Sequence, residues 1–181
     1  MQKYLFFVAL FLPTFTFATT THIVSAALTS QDSIMGYAIG YSSIFNDRYA
    51  FALGHSDASK DQKSISSTSA GFSYGFKPFA TGSTYLSIGV ADTNQQTVTI
   101  RTQFGRIDLD ASGVSSYAAI GYTKISGEGL DYDFSLLSMD GETSVNASLR
   151  IAMEDSNWGW NLGMANGDGE TAVSAGVSVI F

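Results

Sequence analysis

The sequence predicts an all-β chain that closes into an antiparallel, up-and-down transmembrane barrel of about ten strands. Three observations predict it. Bulky apolar residues recur at every second position over nearly all of residues 33 to 181, the period of a strand. The positions between them are mostly Gly, Ala and Ser, with few charges. Short turns rich in Gly, Asn and Asp, the residues that tolerate positive φ, separate the runs.

The first element is not part of the barrel. Residues 1–18, MQKYLFFVALFLPTFTFA, place Lys3 before an apolar run that ends on the small Ala18, which is the order of a secretory signal. A membrane-spanning helix needs about 20 apolar residues, and this run is shorter and interrupted by Pro13 and two threonines. The expected organisation is therefore a signal peptide over 1–18 and one barrel domain over 19–181.

The strands follow in order. THIVSAALT (21–29) alternates weakly and is joined by SQDS to 33–43, where Met35, Tyr37, Ile39 and Tyr41 face away from Gly36, Ala38, Gly40 and Ser42. Next come 48–57 (Tyr49, Phe51, Leu53, His55), 64–76 (Phe72, Tyr74, Phe76) and 83–93 (Leu86, Ile88, Val90). The later runs are 113–125 (Ala118, Ile120, Tyr122), 130–139 (Leu130, Tyr132, Phe134, Leu136) and 143–153 (Val145, Ala147, Leu149, Ile151, Met153). Two more, 157–165 (Trp158, Trp160, Leu162, Met164) and 171–181, complete the chain. Barrels of this kind have even strand numbers, so the weak first segment makes ten; eight is the alternative if the weak segments are loop. Of the two prolines, Pro13 leaves with the signal and Pro78 lies in a turn, so none blocks a strand ladder.

The contrast between the faces selects a membrane. A water-soluble sandwich buries its bulky face and shows water a polar one; here the second face has little to offer water. Lipid accepts the aromatic and aliphatic face, a narrow lumen accepts the small one, and closure leaves no unpaired edge.

Composition excludes several functions. Without Lys3 the mature chain carries 8 Lys and Arg against 16 Asp and Glu, which argues against binding a nucleic-acid backbone. There is no cysteine, so neither disulfides nor a thiolate nucleophile arise. The only histidines are His22 and His55; His55 and Ser56 are strand neighbours pointing to opposite faces, so they do not form a base and nucleophile pair. DLDASG (108–113) and NGDGE (166–170) lack the spacing of a full Ca²⁺ loop. No catalytic residue, metal site or cofactor is expected.

Two sets of polar residues stand out. If the turn at Asp140–Gly141 sets the register, Asp133 lies across from Arg150 on the lumen side, Arg150 faces Asn161 over the next turn, and Asp131 is close by. A charge in a narrow lumen has to be paired, so these four form an expected network, either a staple of the barrel or a selectivity point. The second set lies in the long connections 57–63, with Lys60 and Lys63, and 93–112, with Arg101, Phe104, Arg106, Asp108 and Asp110. The latter reads as a projecting hairpin folded near Gln103 to Arg106, which would put Arg101 opposite Asp108.

The signal peptide, the period-two strands and the terminal VSAGVSVIF together resemble the small outer-membrane β-barrel proteins of Gram-negative bacteria, the broad group of OmpA-like and opacity-type barrels. The resemblance implies location in the outer membrane. It also implies contact with lipid and lipopolysaccharide, and insertion by the barrel-assembly machinery through a C-terminal signal formed here by Val177, Val179 and Phe181. It transfers no catalytic residue: barrel lipid A deacylases place Ser two residues from an outward His, and position 57 here is Asp. With no further C-terminal domain in the sequence, peptidoglycan binding is not implied. The expected role is that of a monomeric structural or surface protein acting through its outer loops on an unidentified ligand. A narrow porin-like channel is the alternative, and a lipid-modifying enzyme a weaker one.

Overall fold

The computed structural model describes residues 20–181 apart from 32–33, 61–62, 103–104 and 168–169, and leaves undescribed the side chains at 31, 60, 63, 95–112 and 170. The signal segment 1–18 and Phe104 lie outside the described residues.

Ten strands run β1 (Thr20–Gln31), β2 (Ile34–Phe45), β3 (Tyr49–Lys60), β4 (Lys63–Gly75), β5 (Ser83–Thr102), β6 (Gly105–Lys124), β7 (Leu130–Met139), β8 (Glu142–Ala152), β9 (Trp158–Gly167) and β10 (Glu170–Ile180). Each pairs with its neighbours in sequence and β1 pairs with β10, so the sheet is closed. The weakly alternating first segment is a full strand, and the barrel has ten strands rather than eight.

The register shows how the barrel is sheared. A row of directly paired residues that leaves β6 at Tyr122 passes through Phe134, Ala147, Met164, Val173, Ser30, Met35, Ser59, Ser64 and Gln96. It returns to β6 at Asp110, 122 − 110 = 12 residues from its start. With ordinary strand spacings, a shear of this size over ten strands tilts them by about 40° and gives a backbone diameter of about 20 Å.

That tilt levels the outer wall. On the outside stand Leu28, Tyr37, Ile39, Leu53, Phe72, Ile88, Ile120, Leu136, Leu149, Trp160, Leu162 and Val173, all exposed. Placed on the sheared lattice, the apolar positions fill a belt about 20 Å tall. Contacting rings rise from its lower edge, the edge nearest Thr20 and Phe181: Phe45, Tyr49, Phe72, Tyr74 and Phe76 on one side, and Tyr122, Tyr132 and Phe134 on another.

The two turns that the sequence reading used to set register are tighter than expected. Asp140 (φ 53°) and Gly141 (φ 88°) are both left-handed, as a two-residue type I′ hairpin requires, so Met139 pairs with Glu142 and Arg150 lies across from Asp131. The expected Asp133–Arg150 pair is displaced by two residues: Asp133 faces Ser148. In the long hairpin Thr102 pairs with Gly105, so Arg101 faces Arg106 and Asp108 faces Thr99, not Arg101.

The connections 57–63 and 93–112 are also strand rather than loop. β3 runs to Lys60 and β4 starts at Lys63, with those two lysines paired at the tip. β5 and β6 continue twelve residues beyond Val90 to Thr102, a rise of up to about 30 Å along the axis, while the β3–β4 hairpin reaches a shorter way above the belt and those of β1–β2, β7–β8 and β9–β10 end close to it.

At the opposite end the barrel is sealed by its last residue. Phe181 N–H donates to His22 O (3.0 Å) and His22 N–H to Phe181 O (2.8 Å). The His22 ring lies 5.7 Å from Phe181 and 6.0 Å from Tyr41, whose hydroxyl meets His22 Nδ1 at 2.9 Å. Deleting Phe181 removes both backbone bonds and the ring contact. The compact fraction on an unboiled gel, after refolding into detergent micelles, should fall several-fold; an unchanged fraction would show that the seal is dispensable.

Candidate functional site

The lumen is lined along its middle by small residues and filled at one end. Alternation sends Ser25, Ala27, Gly40, Gly54, Ser69, Gly89, Ser135, Gly163 and Ser174 inward. At the end nearest Thr20 and Phe181 the filling becomes bulky: Ile44 (6% exposed), Phe79 (2%) and Tyr85 (9%) form a cluster packed by Ile23, Ala50 and Ile125.

Phe79 comes from a connection rather than a strand. One turn of 3-10 helix, Phe79–Thr81, follows Pro78 between β4 and β5. Its backbone is tied to the neighbouring turns, Phe79 N–H to Asp47 O (2.8 Å) and Ile125 N–H to Phe79 O (3.0 Å). Buried Ser83 Oγ accepts from Lys77 N–H at 2.9 Å and holds the loop against β5. The Phe79 ring meets Tyr85 edge-on, centroids 6.5 Å apart. Tyr85 then donates to Asp133 Oδ1 at 3.2 Å, so the apolar half of the floor is joined to its polar half.

The polar half is built on Arg150, 7% exposed on β8. Its Nη1 reaches Asp131 Oδ2 (3.2 Å) and Gly127 O (3.3 Å), Nη2 reaches Asn157 O (3.1 Å), and Nε donates to Ser178 Oγ (3.0 Å). Ser178 Oγ in turn donates to Asn161 Oδ1 at 3.1 Å. Asp131 accepts in addition from Ser126 N–H (2.7 Å), Ser126 Oγ (2.8 Å) and Gly127 N–H (3.2 Å). The guanidinium thus joins β7, β8 and β10 to both adjoining turns, and it fits only because Gly159 opposite has no side chain: a Cβ there would lie 2.7 Å from Arg150 Nε.

Among the four residues expected to act together, Arg150, Asp131 and Asn161 are connected, the last through Ser178, while Asp133 belongs to Tyr85 instead. An arginine whose three nitrogens are all bonded to neighbours is arranged as a staple. Val177 and Val179 stand on the outer wall of β10 opposite Trp160 and Trp158, with Phe181 at the seal. Lys60, Lys63, Arg101, Arg106 and Asp108 are placed by their backbone at the tips of the two long hairpins, on the far side of the belt from the floor. His55 is on the outer wall, its Nδ1 2.9 Å from Thr68 Oγ1, and Ser56 points inward. Among the described residues no cluster of three metal-ligating side chains occurs.

Sequence reasoning missed Phe79, Tyr85 and Ser178. KPFATG was the one signal: an aromatic in a connection whose counterparts are polar has to bury somewhere.

No protein-family model matches the chain, and no curated protein does. Among solved structures it is similar to the N-terminal β-barrel domain of Pseudomonas aeruginosa OprF, with 17% identity over 90% of this chain and 97% of that one, TM-score 0.48. It is also similar to the KdgM porin (14% identity, 87% and 98%, TM-score 0.46) and to Neisserial surface protein A, NspA (15%, 88% and 94%, TM-score 0.40).

Removing one partner of a buried ion pair strands the other and costs about 3–5 kcal/mol, whereas replacing both is far cheaper. Arg150→Met should therefore lower stability more than the double variant Arg150→Met with Asp131→Leu, measured by denaturant unfolding in micelles. Equal losses would remove the staple.

Proposed function

We propose that the chain is an integral β-barrel of the outer membrane of a Gram-negative bacterium, closed to through-flow and acting as a structural or surface-interaction protein. The belt supports the membrane. Exposed apolar area is unfavourable in water by about 25 cal/mol per Å², and a closed barrel with an outward apolar band edged by aromatic rings is the form that removes it into lipid. The floor is the observation that carries the structural reading: Phe79, Tyr85, Ile44 and the Arg150 staple occupy the cross-section at one end.

Short turns define the periplasmic side of such barrels, and longer hairpins the outside. On that orientation the β5–β6 hairpin rises from the cell surface and is the part of the molecule that meets lipopolysaccharide or another surface. Export by the N-terminal signal, insertion by the barrel-assembly machinery with Val177, Val179 and Phe181 as its cue, and a monomeric barrel complete the reading.

A narrow channel is the second reading, favoured by a cavity of about 510 Å³ directly above the floor, lined by Ser25, Thr29, Ser148, Asn161 and Ser174. It requires the floor to move. A lipid-modifying activity has less support, because the outward His55 has Thr68 as its hydrogen-bond partner and no oriented acid among the described contacts.

In planar bilayers the purified protein should give no discrete conductance, and Phe79→Ala combined with Tyr85→Ala should create one. Wild-type openings that change with Arg150→Ala would instead establish the channel. Deleting residues 97–110 should abolish binding to lipopolysaccharide-containing vesicles while heat-modifiable migration persists; retained binding would remove the hairpin from the surface role.

A further inference from the structure

On the closed reading the lumen is a cup whose base is the floor. The cavity above it, about 510 Å³, is within the range of sites that enclose a small molecule. It lies against one side of the lumen. On the wall of β5 to β7 the inward Tyr117 ring packs across Gly71 and Gly89, and the inward Leu137 stands at a similar height on the sheared lattice, so bulk occupies that side. On the wall of β8 to β2 the inward residues are Gly163, Ser174, Ala27, Ala38 and Gly40, and the space is left there.

The cup is polar and its charge is unbalanced. Ser25, Thr29, Ser148 and Ser174 present hydroxyls to it, none of which has a hydrogen-bond partner among the described residues. The carboxylate at its base is Asp133. It accepts from the Tyr85 hydroxyl at 3.2 Å, a neutral donor, and it is the acid that the staple leaves out: Arg150 is bonded to Asp131, Gly127, Asn157 and Ser178. The other described cations are elsewhere. Arg48 and Lys77 belong to the connections beneath, and Lys124 borders the cavity from a position on β6 whose side chain alternation turns outward with Tyr122. A charge in a narrow lumen has to be paired or hydrated, so whatever completes Asp133, water or cation, reaches it through the cavity. A metal ion would need further free carboxylates, and Asp131 is already committed to Arg150, Ser126 and Gly127.

We propose that the cup binds one small hydroxylated solute carrying an ammonium group, the ammonium at Asp133 and the hydroxyls at Ser25, Ser148 and Ser174. The inference rests on the closed reading above: with the floor in place the solute enters and leaves by the outer mouth, so the barrel holds it without passing it on. An anionic solute is repelled by Asp133, and an apolar one would cover the wall hydroxyls without bonding them. The charge-assisted bond makes the ammonium worth about tenfold or more in affinity over the same solute without it.

The test is equilibrium dialysis of the full barrel in detergent micelles against glucosamine with its amine protonated, and against glucose and glucuronate, which share its ring and are neutral and negative. Glucosamine should bind at one per chain, about tenfold or more tighter than glucose, with glucuronate weakest. Asp133→Asn, which keeps an acceptor for Tyr85, should bring glucosamine down to the level of glucose. Ala27→Phe, whose ring fills the cup, should abolish binding, whereas Ala26→Phe, the next residue and on the lipid face, should leave it unchanged. Heat-modifiable migration shows which variants are folded, and Asp133→Asn decides where Ala27→Phe is not. Absent or charge-indifferent binding by the wild type, full affinity in Asp133→Asn, or binding that survives Ala27→Phe overturns the cup and leaves the membrane barrel standing. Wild-type conductance in planar bilayers overturns the closed reading by itself, with the dialysis still deciding whether the solute is bound.

Discussion

The structure depends on one constraint: a strand surrounded by hydrocarbon leaves no backbone group without a partner. A single open edge would expose a row of N–H and C=O groups, so β1 must find β10 across the whole chain. The nine rungs from Ile23↔Ile180 to Gln31↔Ala172 are the most non-local contacts in the molecule, and the reciprocal bonds between His22 and Phe181 finish them at the rim. The other sequence choices follow from closure. Ten strands sheared by twelve residues leave a narrow lumen, which is why the inner positions away from the floor are mostly Gly, Ala and Ser. The bulk they exclude is carried outside, where lipid receives it.

Small inner residues solve the packing of the wall and create a second problem, a lumen with little in it. The chain fills it mainly at one level, with the inward Tyr117 ring packed higher up against Gly71 and Gly89. Phe79 enters from a connection, Tyr85 and Ile44 from strands, and the Asp131–Arg150 pair occupies what remains. A buried ion pair adds little net stability against an apolar substitute, but it does what an apolar plug would not: its directional bonds fix the turns at 125–129 and 153–157 relative to β10. Tyr85 bridges the two halves, one face on Phe79 and its hydroxyl on Asp133. The floor is therefore one continuous object.

How much of this could be read in advance depends on the range of each interaction. Strand existence, facing and the ten-strand count are carried by period two and by glycine-rich turns, which are local, so they were legible. Register was not. It depends on whether a turn spans two residues or four, and Asp140–Gly141 and the tip between Thr102 and Gly105 both took the shorter form, which moved Arg150 from Asp133 to Asp131 and set Arg101 beside Arg106. The connections 57–63 and 93–112 look like loops because their residues are polar, yet strand pairing with a partner continues where no hydrophobic face needs burying. Phe79 was illegible for another reason. Its burial follows from where the loops of β2–β3 and β6–β7 end, information spread over eighty residues.

The two ends of the barrel are consequently different materials. At the floor, side chains from eight strands interlock with parts of four connections, and the described cations are gathered there. At the other end the hairpins of β1–β2, β7–β8 and β9–β10 stop near the belt, β3–β4 reaches a little further, and β5–β6 continues well beyond the reach of β4 on one side and β7 on the other. In that upper stretch each strand has a partner on one edge alone, from Thr97 onward on β5 and before Tyr117 on β6. A two-stranded ribbon is only marginally stable by itself, so its conformation is set largely by what it touches. A rigid closed base carrying one adaptable ribbon is the division expected where the membrane part has to hold position and the exposed part has to meet something else.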